Sequence, residues 1–132
     1  MVYVDVIAKS LQVMKSHPEL RARMWQVAKR LQDGLTSLGF DIGDTQSPVT
    51  PIYVPAGDER VGQQMIRTLR EEHGVFVSGV AYPVVPRGVI LFRMIPTSLH
   101  SDEDVDKTVA AFRALRDGMK LDLSLKPSQV NR

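Results

Sequence analysis

Two segments rich in β-branched and aromatic residues lie between longer segments with helical periodicity. These segments, Val75–Val80 and Val89–Ile95, are the most strand-like parts of the sequence. The eight residues that join them, Ala81–Gly88, include two prolines, so the connection is too long and too stiff for a tight hairpin. Ordered loops of this length often carry function. The chain must therefore place a structured loop at one end of a small sheet.

Four other segments carry apolar residues at helical spacing. The first, Val2–His17, is only weakly amphipathic, so we expect it to pack against something outside the domain that follows. The second, Pro18–Leu38, begins with a proline, whose missing N–H is tolerated in the first turn of a helix. The third is Asp58–Glu72. The fourth starts at Ser101, whose side chain can pair with Asp104 in a capping-box-like arrangement.

The remaining apolar stretches predict strands at Phe40–Gly43 and Val49–Val54. Pro48 and Pro51 flank and interrupt the second of these, and because proline cannot donate to a ladder, this strand should lie at an edge of the sheet or be bent. The resulting order of elements is typical of an α+β fold. We therefore expect a small, mostly antiparallel sheet of three to four strands, with helices covering one face.

Charge and composition exclude several classes of function. The chain has 17 Lys and Arg residues against 15 Asp and Glu, and the two signs are interleaved, so nucleic-acid binding is not expected. The absence of cysteine excludes thiolate metal sites, and His17, His73 and His100 are too far apart for a short zinc motif. No apolar run approaches the roughly 20 residues of a membrane-spanning helix, and no signal peptide is recognisable. We expect a cytoplasmic protein without a metal or an integral membrane segment.

Arg93 is the strongest candidate for a binding residue. Side chains alternate between the faces of a strand, so Arg93 shares a face with Val89, Leu91 and Ile95. A guanidinium on an apolar face is costly to desolvate unless a carboxylate or phosphate meets it. The alternative is a face that is open to water, with Arg93 extending from its edge. The spacing slightly favours the water-exposed face, whereas the stiff loop before the strand favours a binding site, so both interpretations of Arg93 stay open.

Several motifs occur together in the second half of the chain and just before it. They are Tyr82–Gly88 (YPVVPRG), Leu91–Arg93 (LFR), Ser98–Ser101 (SLHS) before an acidic helix start, and Thr45–Ile52 (TQSPVTPI) upstream. With these motifs, residues 2–116 resemble the C-terminal small domain of the α-oxoamine synthases. These fold-type-I pyridoxal-phosphate enzymes include serine palmitoyltransferase, 2-amino-3-ketobutyrate CoA ligase, 8-amino-7-oxononanoate synthase and 5-aminolevulinate synthase. The first two are the members that the motifs match best.

The resemblance implies a reaction, a cofactor and a site. The reaction is the condensation of an amino acid with an acyl-CoA, with loss of carbon dioxide, and the cofactor is pyridoxal phosphate. Arg93 stands where the family has an arginine that binds the substrate carboxylate, and Tyr82 and Pro83 belong to a loop near that site. A planar guanidinium suits this role because it meets a carboxylate with two parallel hydrogen bonds.

The resemblance is incomplete in two places. The Schiff-base lysine of the family belongs to a large domain that would precede residue 1, and no lysine of this chain stands in its Ser/Thr-rich context. Some serine palmitoyltransferases also carry a second arginine where this chain has Ala81 and Tyr82, so the amino acid and the acyl chain stay open.

We therefore expect residues 1–17 to be a linking helix that packs on a missing large domain, residues 18–120 to be the small domain, and residues 121–132 to be a tail. The isolated chain should hold no catalytic or cofactor-binding residue, bind no pyridoxal phosphate and be inactive. The alternative is a stand-alone α+β module that binds a small molecule or a protein through the Arg93 face without catalysis. Exposed apolar surface on the first helix predicts a homo-oligomer.

Overall fold

The computed structural model describes residues 2–124 and 126–130. Five α-helices and three β-strands occur among these residues. In chain order they are α1 (Val2–Ser16), α2 (Pro18–Ser37), β1 (Thr50–Tyr53), α3 (Glu59–His73), β2 (Ser78–Val80), β3 (Leu91–Met94), α4 (Asp102–Met119) and α5 (Pro127–Val130), with a short 3-10 turn at Pro55–Gly57. None of these described helices is both long and apolar enough to cross a lipid bilayer.

The four predicted helices are present, and their ends lie within one residue of the predicted ends. Local chemistry explains this agreement. Asp58 caps α3 by accepting hydrogen bonds from the backbone N–H groups of Arg60 and Val61 at 2.8 and 3.3 Å. Ser101 and Asp104 form a complete capping box at the start of α4. Such caps satisfy N–H groups that have no partner inside the helix, and they need only residues close in sequence.

β3 is the central strand of an antiparallel three-stranded sheet, with β1 on one side and β2 on the other. Pro51 lies on β1, and this strand is at the edge of the sheet, as predicted. An edge strand tolerates proline because one row of its N–H groups has no ladder partner. The α+β fold with a small antiparallel sheet is confirmed.

The strands are shorter than the sequence pattern indicates. The predicted strand at Phe40–Gly43 is wrong, because this segment forms no strand. A hydrogen bond, from the Tyr53 N–H to the Asp41 carbonyl at 2.9 Å, joins it to the end of β1. Within the predicted Val75–Val80, the strand is limited to Ser78–Val80. The physical reason is that a strand extends only as far as a partner faces it, which local sequence does not specify.

One face of the sheet packs against the layer of α2, α3 and α4. Ile52 and Phe92, which are paired across β1 and β3, are fully buried on this face. They belong to the same core cluster as Phe112 of α4, which meets Phe40 edge to face with ring centroids 5.2 Å apart. Each buried side chain of this size contributes roughly 1.5–3 kcal/mol through removal from water. Helices therefore cover one face of the sheet, as expected.

α1 makes its main contacts with α2 and leaves most of its own surface uncovered. The described side chains from residue 3 to residue 16 are all exposed, and Tyr3 is 86% exposed. The apolar residues of one side, Tyr3, Val4, Ile7, Leu11 and Met14, form what we call the α1 apolar face. A contiguous apolar surface of this kind is typical of an interaction site.

The chain after α4 folds back onto the domain. The sequence predicts a tail here, and the structure describes residues 121–124 and 126–130 of it, which we call the C-terminal strap. Leu121 and Leu123 are half-buried against the core. The backbone N–H and the hydroxyl of Ser128 donate hydrogen bonds to the Asp41 carboxylate at 2.9 and 2.6 Å.

α2 and α4 approach closely at Gly34, where an added Cβ would lie 2.6 Å from a methyl carbon of Val109. Val109 is β-branched and has one strongly preferred rotamer in a helix, so its methyl groups cannot turn away at low cost. We predict that Gly34→Ala lowers the free energy of unfolding by about 1–3 kcal/mol, as overpacking does. Urea unfolding followed by circular dichroism measures this change.

Gly118→Ala is the matched control, because Gly118 also lies in a helix but an added Cβ there would have no heavy atom within 4 Å. Alanine is the better helix former, so this substitution should raise the free energy of unfolding by up to about 1 kcal/mol. Equal effects of the two substitutions would contradict the close packing of α2 against α4.

Candidate functional site

Arg93 lies on the sheet face that the helices leave uncovered. Directly paired residues of neighbouring strands share a face, so Arg93 stands beside Pro51 of β1 and Ser78 of β2. The Arg93 side chain is exposed, and its guanidinium makes no hydrogen bond or ion pair with any residue that the structure describes. We call this surface the open face; it consists of Pro51, Tyr53, Ser78, Val80, Leu91 and Arg93.

The surroundings of Arg93 match the water-exposed interpretation rather than the buried one. Of the three aliphatic residues on its side of the strand, Val89 is buried, Leu91 is half-buried and Ile95 is 60% exposed. Arg93 therefore pays no desolvation cost within this chain, and its charge has no internal counter-ion among the described residues. A guanidinium in this state is available to an anion that approaches from outside the domain.

A groove of about 500 Å³ lies beside Arg93. Its walls come from the end of α3, the segment before β2, the end of β3 and the first half of α4. Lys107 adds a second positive charge, and Phe76, which is 78% exposed, adds an aromatic ring. A narrower apolar recess, lined in part by Val27 and Leu31, adjoins the groove. The arrangement suits an anionic ligand that also has an apolar part.

One carboxylate, that of Asp104, also lines the groove. Hydrogen bonds from the backbone N–H and the hydroxyl of Ser101 hold the pKa of Asp104 below its ordinary value, so it stays ionised and engaged in the helix cap. The ring of His100 is turned to its own loop, where Nδ1 accepts the backbone N–H of Thr97 at 2.9 Å. Both side chains therefore stabilise the local structure beside the groove, and for Asp104 this is the helix cap that the sequence predicts.

Sequence reasoning missed Phe76 and Lys107 as residues of this groove. Phe76 lies in the part of a predicted strand that remains unpaired, and Lys107 occupies an exposed helix position like many others. No local signal separates them from ordinary surface residues. They line the same groove as Arg93 because the chain before β2 and the start of α4 both pass the end of β3.

The loop predicted to lie near the site leaves the sheet at the pair Val80 and Leu91. Arg93 is two residues further along β3, a distance of about 7 Å along the strand. Tyr82 is 60% exposed, and the guanidinium carbon of Arg87 lies 4.7 Å from the centre of its ring. This cation–π contact stabilises the loop through two of its own residues.

Tyr82 and Pro83 do not line the groove beside Arg93. The bond between them is a cis peptide bond, and Pro83, like Tyr82, is exposed. The loop therefore leaves the sheet at the Leu91 end of β3, whereas Arg93 borders the groove at the Met94 end, and the two loop side chains are not part of that groove. Their place at the site stays a prediction.

The lysines that the structure describes are exposed or hydrogen-bonded. A Schiff-base lysine must be uncharged to react, which requires burial or a neighbouring cation. Lys126 is half-buried but donates a hydrogen bond to the Gly39 carbonyl at 2.6 Å, and every other described lysine is exposed. Among the described residues there is also no cluster of three or more acidic or histidine side chains that could hold a metal ion.

A model of the aminotransferase class I and II family matches residues 2–112. The chain belongs to this family. Over 120 residues it is 44% identical to the cysteate-C-fatty acyltransferase of Capnocytophaga ochracea, and over 104 residues it is 42% identical to the 8-amino-7-oxononanoate synthase of Symbiobacterium thermophilum. These alignments cover 91% and 79% of this chain. The resemblance to α-oxoamine synthases is confirmed.

The fold agrees with this membership. The structure of the serine palmitoyltransferase of Sphingomonas wittichii superposes on 86% of this chain with a TM-score of 0.78 and 25% sequence identity. This chain spans 28% of that structure, 28% of the Capnocytophaga protein and 26% of the Symbiobacterium protein. The chain therefore corresponds to just over a quarter of the length of these relatives.

The uncovered position of Arg93 predicts a small effect on stability. Because its guanidinium has no partner among the described residues, Arg93→Ala should change the free energy of unfolding by at most about 0.5 kcal/mol. The matched change at the preceding residue, Phe92→Ala, removes a fully buried ring and should lower the free energy of unfolding by about 3–5 kcal/mol. Thermal unfolding of both variants measures the contrast. A loss of stability at Arg93 as large as that at Phe92 would mean that Arg93 serves the fold.

Proposed function

We propose that this chain is the small domain of a longer pyridoxal-phosphate enzyme that condenses an amino acid with a fatty acyl thioester and releases carbon dioxide. Arg93 binds the carboxylate of the amino acid. The observation that carries this proposal is the exposed, unpartnered guanidinium on the open face, in a chain of this family. The Schiff-base lysine and the rest of the cofactor site then belong to the remainder of the polypeptide, a proposal supported by the quarter of the relatives' length that this chain spans.

The contribution of Arg93 is binding and orientation. Two parallel N–H to oxygen hydrogen bonds fix the plane of the carboxylate, and each hydrogen bond to a charged group contributes roughly 1.5–3 kcal/mol. A carboxylate held in one plane restricts rotation of the bond to Cα, so the remaining Cα substituents take a defined direction. Binding that also fixes the orientation of the reacting centre accelerates a reaction more than binding of equal affinity that leaves the orientation free.

The substrates are proposed from the relatives. The Capnocytophaga protein is named for the transfer of a fatty acyl group to cysteate, and the Sphingomonas protein is named for the transfer of palmitoyl to serine. Both names support a long-chain fatty acyl donor. They leave cysteate and serine as the candidate amino acids, with acyl-CoA as the form of the donor.

α1 and the domain boundaries fit the same proposal. Residues 1–17 form a linking helix whose apolar face packs on the large domain, and residues 18–120 form the small domain. Support comes from the exposed α1 apolar face together with the quarter of the relatives' length that this chain spans. In the isolated chain this face remains open, and we propose that it then associates with a second copy.

The role of Arg93 predicts a selective loss of amino-acid binding in the longer polypeptide. Arg93→Lys keeps the charge but removes the planar fork, so the dissociation constant of the amino acid should rise about 10- to 100-fold. Affinity for pyridoxal phosphate should stay unchanged. The measurement is titration with serine and with cysteate, followed by the absorbance of the bound cofactor, and the release of thiol from acyl-CoA reports turnover.

Arg67→Ala is the control, because Arg67 is an exposed arginine of α3 away from the groove. Unchanged amino-acid affinity in Arg93→Lys would remove the proposed role of Arg93. Amino-acid binding without any thiol release from acyl-CoA would instead favour the alternative, a binding module without catalysis.

The open α1 apolar face predicts self-association of the isolated chain, which sedimentation velocity at increasing concentration measures. Ile7→Glu places a charge in the middle of the face and should shift the protein toward monomer. Gln12→Glu makes the same kind of change on the polar side of α1 and should have no effect. A wild-type chain that stays monomeric at high concentration would contradict the proposed association.

A further inference from the structure

Asp41 is a buried carboxylate with a full set of hydrogen bonds. It is 9% exposed and accepts hydrogen bonds from the backbone N–H of Gly43 at 3.0 Å and from the N–H and hydroxyl of Ser128 at 2.9 and 2.6 Å. Burial by itself would raise the pKa of Asp41, but the hydrogen bonds from Ser128 and Gly43 and the nearby Lys126 charge lower it overall. The carboxylate is therefore ionised, and two of its three donors belong to the C-terminal strap.

A second polar contact holds the strap at the same place. The Lys126 ammonium donates to the Gly39 carbonyl at 2.6 Å, just before Asp41 in the chain. A buried ionised carboxylate that loses its donors is costly, so the strap cannot leave without destabilising Asp41. The contacts of Lys126 and Ser128 thus fix the position of α5.

α5 and the base of the loop Ala81–Gly88 face the same cavity. Pro127 and Ser128 line a cavity of about 320 Å³ together with Val85 and Pro86 of the loop and with Tyr53 and Leu91 of the open face. α5 also packs against the 3-10 turn Pro55–Gly57. The strap therefore packs against the 3-10 turn, and the second half of the loop lines the same cavity as the strap.

The 3-10 turn holds the end of the loop. Gly57 and Gly88 approach so closely that a Cβ on Gly57 would overlap the Gly88 carbonyl oxygen. Just beyond this contact, the Val54 N–H donates to the Ile90 carbonyl at 2.9 Å. The end of the loop is thus held at the turn, against which α5 packs, and Arg93 follows on β3.

We infer that Asp41 is a positioning residue, which anchors the C-terminal strap so that α5 supports the 3-10 turn, and this turn fixes the end of the Pro-rich loop that leads into β3, the strand of Arg93. The order of the loop then depends on a contact between two segments far from it in sequence. The effect of an ordered loop on substrate binding rests on the proposed function. The effect of the strap on the order of the loop is independent of that function.

Hydrogen exchange of the chain itself tests the inference. The Val89 N–H donates to the Pro86 carbonyl at 3.2 Å and the Val84 N–H to the Ala81 carbonyl at 3.0 Å, so both amides report the order of the loop. In Asp41→Asn and in Ser128→Ala, exchange at Val89 should accelerate roughly fivefold or more, while core amides of α2 and α4 keep their rates. Ser128→Thr, which retains the hydroxyl, should restore the wild-type rate.

Asp122→Asn is the matched control. Asp122 is a carboxylate of the same strap, but it accepts a hydrogen bond from the backbone N–H of Ser124 within the strap, at 2.9 Å. This variant should leave exchange at Val89 unchanged. If Asp41→Asn does not fold, Ser128→Ala carries the test, because it removes one donor and keeps the carboxylate.

Two results would overturn the inference. One is faster hydrogen exchange at the Ser128 and Gln129 amides of the variants without any change in the exchange rate at Val89. This result would show that the order of the loop does not depend on the strap. The other is equal acceleration at Val89 and in the core of α2 and α4, which would mean that Asp41 acts on overall stability. In the longer polypeptide, a loop that responds as expected while amino-acid binding stays unchanged would count against the proposed function and leave the positioning role intact.

Discussion

Successive side chains of β3 point to opposite faces of the sheet, and this constraint connects the core of the domain with its candidate site. Phe92 is fully buried against the helical layer, so Arg93 must point to the open face. A shift of the pairing by one residue would place the guanidinium in the core and the phenyl ring in water. The apolar packing that stabilises the fold therefore also presents the cation that the proposed reaction needs.

The loop that leads into β3 is ordered by contacts that come from elsewhere in the fold. The 3-10 turn meets it at Gly88, and the C-terminal strap packs against this turn through α5. The strap is in turn held by the buried Asp41 carboxylate. The open face is thus bordered by a structured surface, while α1 leaves apolar area uncovered on another side. Both features suit a domain that functions against a larger neighbour.

How far the sequence predicts the structure differs between helices, strands and site. The helices agree closely because their caps, such as the one at Asp58, depend on neighbouring residues. Strand lengths agree less well, and Phe40–Gly43 forms no strand, because pairing depends on a partner distant in sequence. Phe76 and Lys107 line the groove beside Arg93 without any local pattern to mark them.

The sequence alone determined the helices and their ends, the opposite directions of Arg93 and Phe92 on their strand, and the family through motifs of fixed spacing. The tertiary structure decided which face of the sheet stays open, which residues share the groove with Arg93, and that the strap binds Asp41. The reason is the range of the interactions. Caps and side-chain alternation act over a few residues, whereas Asp41 and Ser128 are 87 positions apart and meet only when the domain has folded.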